Sequence, residues 1–267
     1  LTLFYSLERK YPKHPKMDEI LFFIGFVEME NGNGAKGAKY LSRVISRYPR
    51  SRKFDEAVVY LGDYYFGRHK FTTAASKYSI LLRRKNAAWH PYARYKIAWC
   101  WLNTNKKRAA LNLMKKLVGQ LEDSKDKAQF NLRQQAIQDL VIFYGEVGAV
   151  KEAFAFYENA TGKDDALKKV RLIADILRSK ALDVQAIQAY ELLLREDPNH
   201  PEAPLIQLGI YESLARMGKT SDSIKHLVRA IEKYGAASDF AKDYPSDKKQ
   251  ELAAILENLQ SEGFKVA

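Results

Sequence analysis

Six times along the chain a small residue is followed four positions later by a larger one, and three positions after that by another apolar one. The small positions are Gly37, Ala74, Ala110, Ala153, Ala186 and Ser223. The larger ones are Leu41, Tyr78, Met114, Tyr157, Tyr190 and Leu227, and the third set is Val44, Leu81, Leu117, Ala160, Leu193 and Ala230. Successive small positions lie 37, 36, 43, 33 and 37 residues apart. An i, i+4, i+7 stripe is one face of a helix, and its recurrence at such a period means stacked supersecondary units rather than one globular core.

A second mark precedes each stripe. Twelve residues before the small position come Gly25, Gly62, Ala98, Val141 and Ala174, four of them small. In the sixth unit Gly209 stands fourteen residues before Ser223, which predicts a slightly longer first helix or turn there. Two antiparallel helices approach closely only where both lack bulk, and a large side chain one turn on fills the adjacent hole. Prolines punctuate the units in RKYPKHP (9–15), SRYPRS (46–51) and REDPNHP (195–201). Alternating Val/Ile/Thr runs are missing, as are Asn-Gly or Asp-Gly pairs between such runs, so strands are not expected.

These residues resemble the tetratricopeptide repeat family, whose units of about 34 residues carry small residues at the helix crossing and a proline after the second helix. The resemblance covers roughly residues 1–235 and is weakest in the fourth unit, where Val141 takes a normally small position. It implies an all-α, right-handed superhelical solenoid of antiparallel helix pairs. Phe4, Leu7 and Pro12 read as half a repeat at the front, which suggests a piece of a longer polypeptide. At the rear, Ser246, Asp247 and Gly263 bracket an expected C-terminal capping helix with polar Lys248, Lys249, Glu251, Glu257 and Asn258. The expected organisation is a basic front segment (1–118), a joint (119–127), a rear segment (128–235), and a linker with the cap (236–267).

The family's first helices line a concave face, so their positions outside the packing stripe become the expected partner groove. In the front half these are Phe22, Phe26, Val59, Asp63, Phe66, Tyr92, Tyr95 and Trp99. The rear equivalents are Gln135, Gln138, Ile142, Lys168, Arg171, Asp175 and Arg178. Aromatic rings in a concavity bury much area at little entropic cost, the profile of a peptide-binding hot spot. The competing reading is that the rings fill gaps between neighbouring units.

Charge is divided unevenly. Residues 1–120 carry 24 Lys/Arg against 8 Asp/Glu, whereas residues 121–267 carry 20 against 24. Arg43, Arg47, Arg50, Arg52 and Lys53 surround one inter-repeat turn, and Arg83, Arg84 and Lys85 the next, while Lys106, Lys107 and Arg108 occupy a helix–helix turn. A ridge of such turns suits an anionic partner such as lipid headgroups, a cell-wall polymer or an acidic protein. Nucleic acid is disfavoured, because no reading module or interleaved surface aromatics accompany the charge.

Catalytic and metal signatures are lacking. Gly218-Lys219-Thr220 has the tail of a P-loop, but Ser213 stands where that loop needs glycine. His14, His69, His90, His200 and His226 show no metal-ligand spacing, and Cys100, between Trp99 and Trp101, reads as a buried thiol. No cofactor, metal or enzymatic activity is expected, and no apolar run reaches membrane-spanning length. The leading expectation is a protein–protein interaction scaffold that holds a protein or peptide segment. An anionic-surface binder and a helical accessory domain of a larger enzyme are the alternatives. The turns and unit spacings are also similar to those of bacterial cell-envelope repeat adaptors, which implies a periplasmic or outer-membrane-associated place, with the cytoplasm as the alternative.

Overall fold

The computed structural model describes residues 1–85, 88–235, 237–244, 250, 253–257 and 261, and among the described residues there is no strand. The helices are α1 (Thr2–Lys10), α2 (Met17–Glu30), α3 (Gly34–Arg47), α4 (Phe54–Gly67), α5 (Phe71–Leu81), α6 (His90–Asn103) and α7 (Lys107–Gln120). They continue as α8 (Lys127–Val147), α9 (Val150–Thr161), α10 (Lys163–Ser179), α11 (Asp183–Glu196), α12 (Ala203–Arg216), α13 (Thr220–Tyr234) and α14 (Asp239–Asp243). The chain forms two compact units, Leu1–Leu140 and Val141–Ala267, and the division falls within α8.

The pairs α2/α3, α4/α5 and α6/α7 make up most of the first unit, and α10/α11 and α12/α13 most of the second. Each pair turns in the same way. Gly32, His69, Asn105, Gly148, Ala181 and Gly218 all adopt positive φ, one in each helix–helix turn. In five of the six turns the next residue's N–H reaches back five residues, as in Lys70 to Tyr65 and Lys219 to Leu214, 2.9 and 3.0 Å. This Schellman closure satisfies carbonyls that the ending helix would leave open. Gly218 is therefore a turn residue, and the P-loop-like GKT tail is a helix end followed by a helix start.

The six small positions lie inside, with Ala74, Ala110, Ala153 and Ala186 fully buried. Their physical reason is visible at Gly62, where an added Cβ would stand 2.5 Å from the Tyr78 ring. At Gly25 the obstacle would be Leu41, at 2.8 Å. Gly209 behaves differently from the expectation. α12 has 14 residues, as do α2, α4 and α6, so nothing there is lengthened. The residue twelve before Ser223 is the buried Tyr211, which packs with Leu227, whereas Gly209 makes room for Tyr190 of the preceding pair.

In the first unit, one cluster is built on Leu21, Ile24, Leu41 and Val44, with Phe4 and Leu7 of α1 against it. α1 is also fixed by polar contacts. The Glu28 carboxylate, 1% exposed, accepts from the Tyr5 hydroxyl and from Asn33 Nδ2 at 2.7 Å, and pairs with Lys36 at 2.9 Å. The hydrogen bond from Tyr5, then that from Lys36, holds Glu28 down at about 2. A second cluster gathers Val58, Ala74, Tyr78, Leu81, Ala93 and Ile97.

In the second unit, Tyr144 meets Tyr157, ring centroids 6.0 Å apart, and Gly145 admits Ile176. Tyr211, Leu227, Tyr234 and Tyr244 form its last cluster, which Ile255 and Leu256 join. Of the expected cap, Ser246, Asp247, Lys248, Lys249, Glu251, Asn258 and Gly263 lie outside the described residues, while residues 253–257 are helical. The preceding stretch, expected as a linker, contains α14, whose first turn is capped by the Ser238 hydroxyl accepting from the Ala241 N–H at 3.2 Å.

Candidate partner-binding site

The first helices of the first unit are joined side by side by one recurring register. A residue two before the small position meets a residue one after it on the preceding first helix. Tyr60 packs on Phe26 with ring centroids 5.2 Å apart, Lys96 pairs with Asp63 at 2.9 Å, and Asp139 accepts from Trp99 Nε1 at 3.3 Å. The face these helices share is thus built from neighbour contacts before any partner arrives.

Two carboxylates organise it. Asp63 accepts from the Tyr78 hydroxyl at 2.6 Å and from the Tyr92 hydroxyl at 3.0 Å, besides pairing with Lys96. Burial first, with Asp63 beside them, pushes both phenols well above the ordinary tyrosine range, so both remain donors. Asp139 accepts from the Tyr95 hydroxyl at 2.6 Å and Gln135 Nε2 at 2.8 Å, in addition to Trp99. Burial, then the hydrogen bond to Asp139, pushes Tyr95 up to about 12. The rings of Tyr95 and Trp99 are therefore held in fixed orientations by their polar tips.

Both residues line a cavity of about 440 Å³ together with Phe66, Gly67, His69, Phe71, Lys96 and Asn103. Phe66 and Phe71 meet edge to face at 5.3 Å, and the Lys96 ammonium lies 4.0 Å from the Phe66 centroid. With Lys96 already paired to Asp63, the cavity offers apolar walls and no unpaired charge of its own. Such a space suits a large aliphatic or aromatic side chain.

The expected groove residues divide accordingly. Phe66, Tyr95 and Trp99 line this cavity, and Tyr92 and Asp63 support it from behind. Phe22 and Val59 do not belong to an accessible groove, being 3% and 7% exposed in the two core clusters. Phe22 is covered because Tyr60 of the next pair lies against it, ring centroids 6.0 Å apart. Phe26, half-buried, stacks on Phe22 and meets Tyr60 edge to face. Lys96, Phe71 and Asp139 are not among the expected groove residues, whereas Gln135 is. The signal for Lys96 and Asp139 is the register two before the small position, which they share with Tyr60.

Among the rear candidates, Lys168 and Arg171 line a second cavity of about 430 Å³ with Leu167, Leu172 and Ile206. Asp175 accepts from the Tyr190 hydroxyl at 3.0 Å and Arg178 is paired with Glu212. Gln135 serves Asp139, and Gln138 and Ile142 are exposed.

The basic patch also divides. Arg43 is spent on Glu8 at 2.5 Å, Lys53 on Glu56 at 2.8 Å, and Arg84 on Asp55 at 3.1 Å, so these three are internal partners rather than free cations. Each also covers a ring, Arg84 that of Phe54 at 4.4 Å. Arg47, Arg50, Arg52, Arg83 and Lys85 are exposed. Cys100 is buried, and burial pushes its thiol up to about 11, which fits a packing role. No group of three or more His, Cys, Asp or Glu residues arranged to hold a metal occurs among the described residues. No helix among them is long and apolar enough to cross a membrane.

Comparison with known proteins matches residues 92–124 to a tetratricopeptide repeat. That span is α6, its turn and α7, the pair that carries Tyr95, Lys96 and Trp99. No curated protein matches the chain. Among solved structures, a tetratricopeptide repeat protein from Parabacteroides merdae is 14% identical, covering 92% of this chain and 93% of that one, with a TM-score of 0.48. The TPR2AB domain of yeast Sti1 in its complex with pHSP90 is 11% identical, covering 92% and 99%, with a TM-score of 0.38. A Rap protein complexed with competence and sporulation factor is 13% identical, covering 100% and 81%, with a TM-score of 0.43.

Proposed function

We propose that this tetratricopeptide-repeat chain is a non-enzymatic scaffold that holds an extended protein segment along the first-helix face of its first unit. The observation that carries the reading is the apolar cavity walled by Phe66, Phe71, Tyr95 and Trp99. An enzyme cleft would be expected to gather titratable groups around a reacting centre. Here Asp63 and Asp139 are instead each consumed by several donors that fix aromatic rings. The mechanism is preorganisation. Rings whose tips are already tied lose little freedom on binding, so most of the ordering cost falls on the partner. The segment that fits inserts one large apolar side chain between Phe66 and Trp99.

The test is a photo-crosslinking residue placed at Phe66 or Asn103 in the intact protein, followed by identification of the crosslinked segment. A defined segment crosslinked from both positions supports the reading. Its binding should fall by at least about tenfold in Trp99→Ala with Phe66→Ala, the loss of two central aromatic anchors. Unchanged binding in that variant, with helicity intact, would overturn it. We place the scaffold in a bacterial envelope complex, a reading supported by the similarity of its turns and unit spacing to envelope repeat adaptors. Fractionation of cells expressing the full-length protein tests this, and recovery wholly in the cytosol would refute it.

A further inference from the structure

We infer that the edge of the first unit carrying the α1–α2, α3–α4 and α5–α6 turns docks on a phospholipid bilayer of negative surface charge. In a stack of antiparallel helix pairs, every turn from a second helix to the next first helix emerges on the same edge. On this edge Lys10, Lys13, Arg47, Arg50, Arg52, Arg83 and Lys85 are all exposed. The acids that border the turns are already neutralised from within. Glu8 is held by Arg43, Glu19 lies 4.0 Å from Lys16, Glu56 is held by Lys53 and Asp55 by Arg84, which leaves Asp18 without such a cation at these three turns; the α7–α8 turn, with exposed Asp123 and Asp126 beside Lys125, ends the basic stretch of the edge. The exposed cations therefore act outward with little local compensation.

Two features favour a bilayer over a nucleic acid. The charges lie on protruding turns rather than in a channel, and a row of protrusions meets a plane at several points at once, whereas single-strand binders track the backbone in a groove with stacking platforms. The turn aromatics are not such platforms. Tyr48 and Trp89 pack against the core clusters, whereas Tyr11, 57% exposed, stands out from the edge. One amphipathic ring beside arginines matches the headgroup region of a membrane. Arginine predominates in the α3–α4 turn, and its planar fork suits phosphate oxygens.

The experiment is co-sedimentation of the whole chain with vesicles of phosphatidylcholine alone or with one third phosphatidylglycerol. Binding to the anionic vesicles only, lost at high salt, is expected. The variant Arg47→Gln, Arg50→Gln, Arg52→Gln, Arg83→Gln should bind at least about tenfold more weakly, since each cation near such a surface contributes several-fold. These side chains are exposed, so the variant should keep its helicity, and the same four positions changed to Lys should retain most of the binding. Equal binding to both vesicle types, undiminished binding by the Gln variant, or preference for a DNA or RNA duplex over the anionic vesicles would each overturn the inference.

Discussion

Tyr78 donates a hydroxyl hydrogen bond to Asp63 across the α4/α5 pair at 2.6 Å, and Tyr190 donates one to Asp175 across α10/α11 at 3.0 Å, both fifteen residues away in the chain. In each pair the acid follows the small residue of the first helix, Gly62 or Ala174, and the tyrosine is the large residue of the second. In the α4/α5 pair the same side chain thus fills the hole left by Gly62 and places a donor on the carboxylate beside it. Packing and polarity are satisfied by one residue.

The value of that bond can be measured. Tyr78→Phe keeps the ring and removes one of Asp63's donors, while Tyr92 and Lys96 remain. A loss of about 1 kcal/mol in urea-unfolding stability is expected. Asp63→Ala strands the buried Tyr78 hydroxyl as well and should cost about 2–3 kcal/mol. Equal losses from the two variants would contradict the arrangement.

Glycine substitutions separate close approach from helix propensity. Gly62→Ala places a methyl group 2.5 Å from the fully buried Tyr78 ring, whose hydroxyl is pinned, so the ring has no cheap way to move. The overpacking outweighs the gain in helix propensity, and a net loss of about 1–2 kcal/mol is expected. Gly67, at the end of the same helix, faces open space within 4 Å, and Gly67→Ala should instead be neutral or stabilising by up to about 1 kcal/mol. Thermal melts of the two variants should therefore move in different directions.

Ala181 occupies, at φ 54°, the turn position that glycine takes in three of the six pairs. A left-handed conformation costs a residue with a Cβ roughly 1–2 kcal/mol, part of which glycine returns through its greater freedom when unfolded. Ala181→Gly should stabilise the fold by about 0.5–1 kcal/mol in denaturant titrations. A destabilised variant would show that the methyl group has a packing role.

Acid should loosen the attachment of α1. Glu28 is depressed from 4.5 to about 2, by the Tyr5 hydrogen bond before all else. A depressed carboxylate stabilises the fold fully above its unfolded value, and this contribution disappears as pH falls through the folded one. The stability difference between the parent and Glu28→Gln should hold at neutral pH and shrink between about 4.5 and 2. A difference that does not change over that window would mean the carboxylate is unshifted.

The helix pairs were legible in the sequence because the small/large couple is a local pattern with one steric meaning, and Gly62 against Tyr78 is that meaning in atoms. The partner face was harder to read. Periodicity tells which way a side chain leaves its helix, and on that basis Phe22 and Trp99 look equivalent. What separates them is the next pair, which lays Tyr60 on Phe22 and brings Asp139 to the Nε1 of Trp99, a residue that also lines the cavity. Charge posed the same difficulty. Arg43 and Arg47 are neighbours on α3, yet only Arg43 faces Glu8, a residue 35 positions away. The left-handed turn residue was hidden because His69, Asn105 and Ala181 do the work of glycine there.

Arg84 reaches back with Nη1 to the Pro49 carbonyl at 2.9 Å while its Nε holds Asp55. One guanidinium thereby laces the α5–α6 turn to the α3–α4 turn. A basic tail conforms to whatever it meets. These arginines instead stand on a comb whose teeth are set by the roughly 8–10 Å pitch of packed helices, and it is the opposing surface that must rearrange its charges to match.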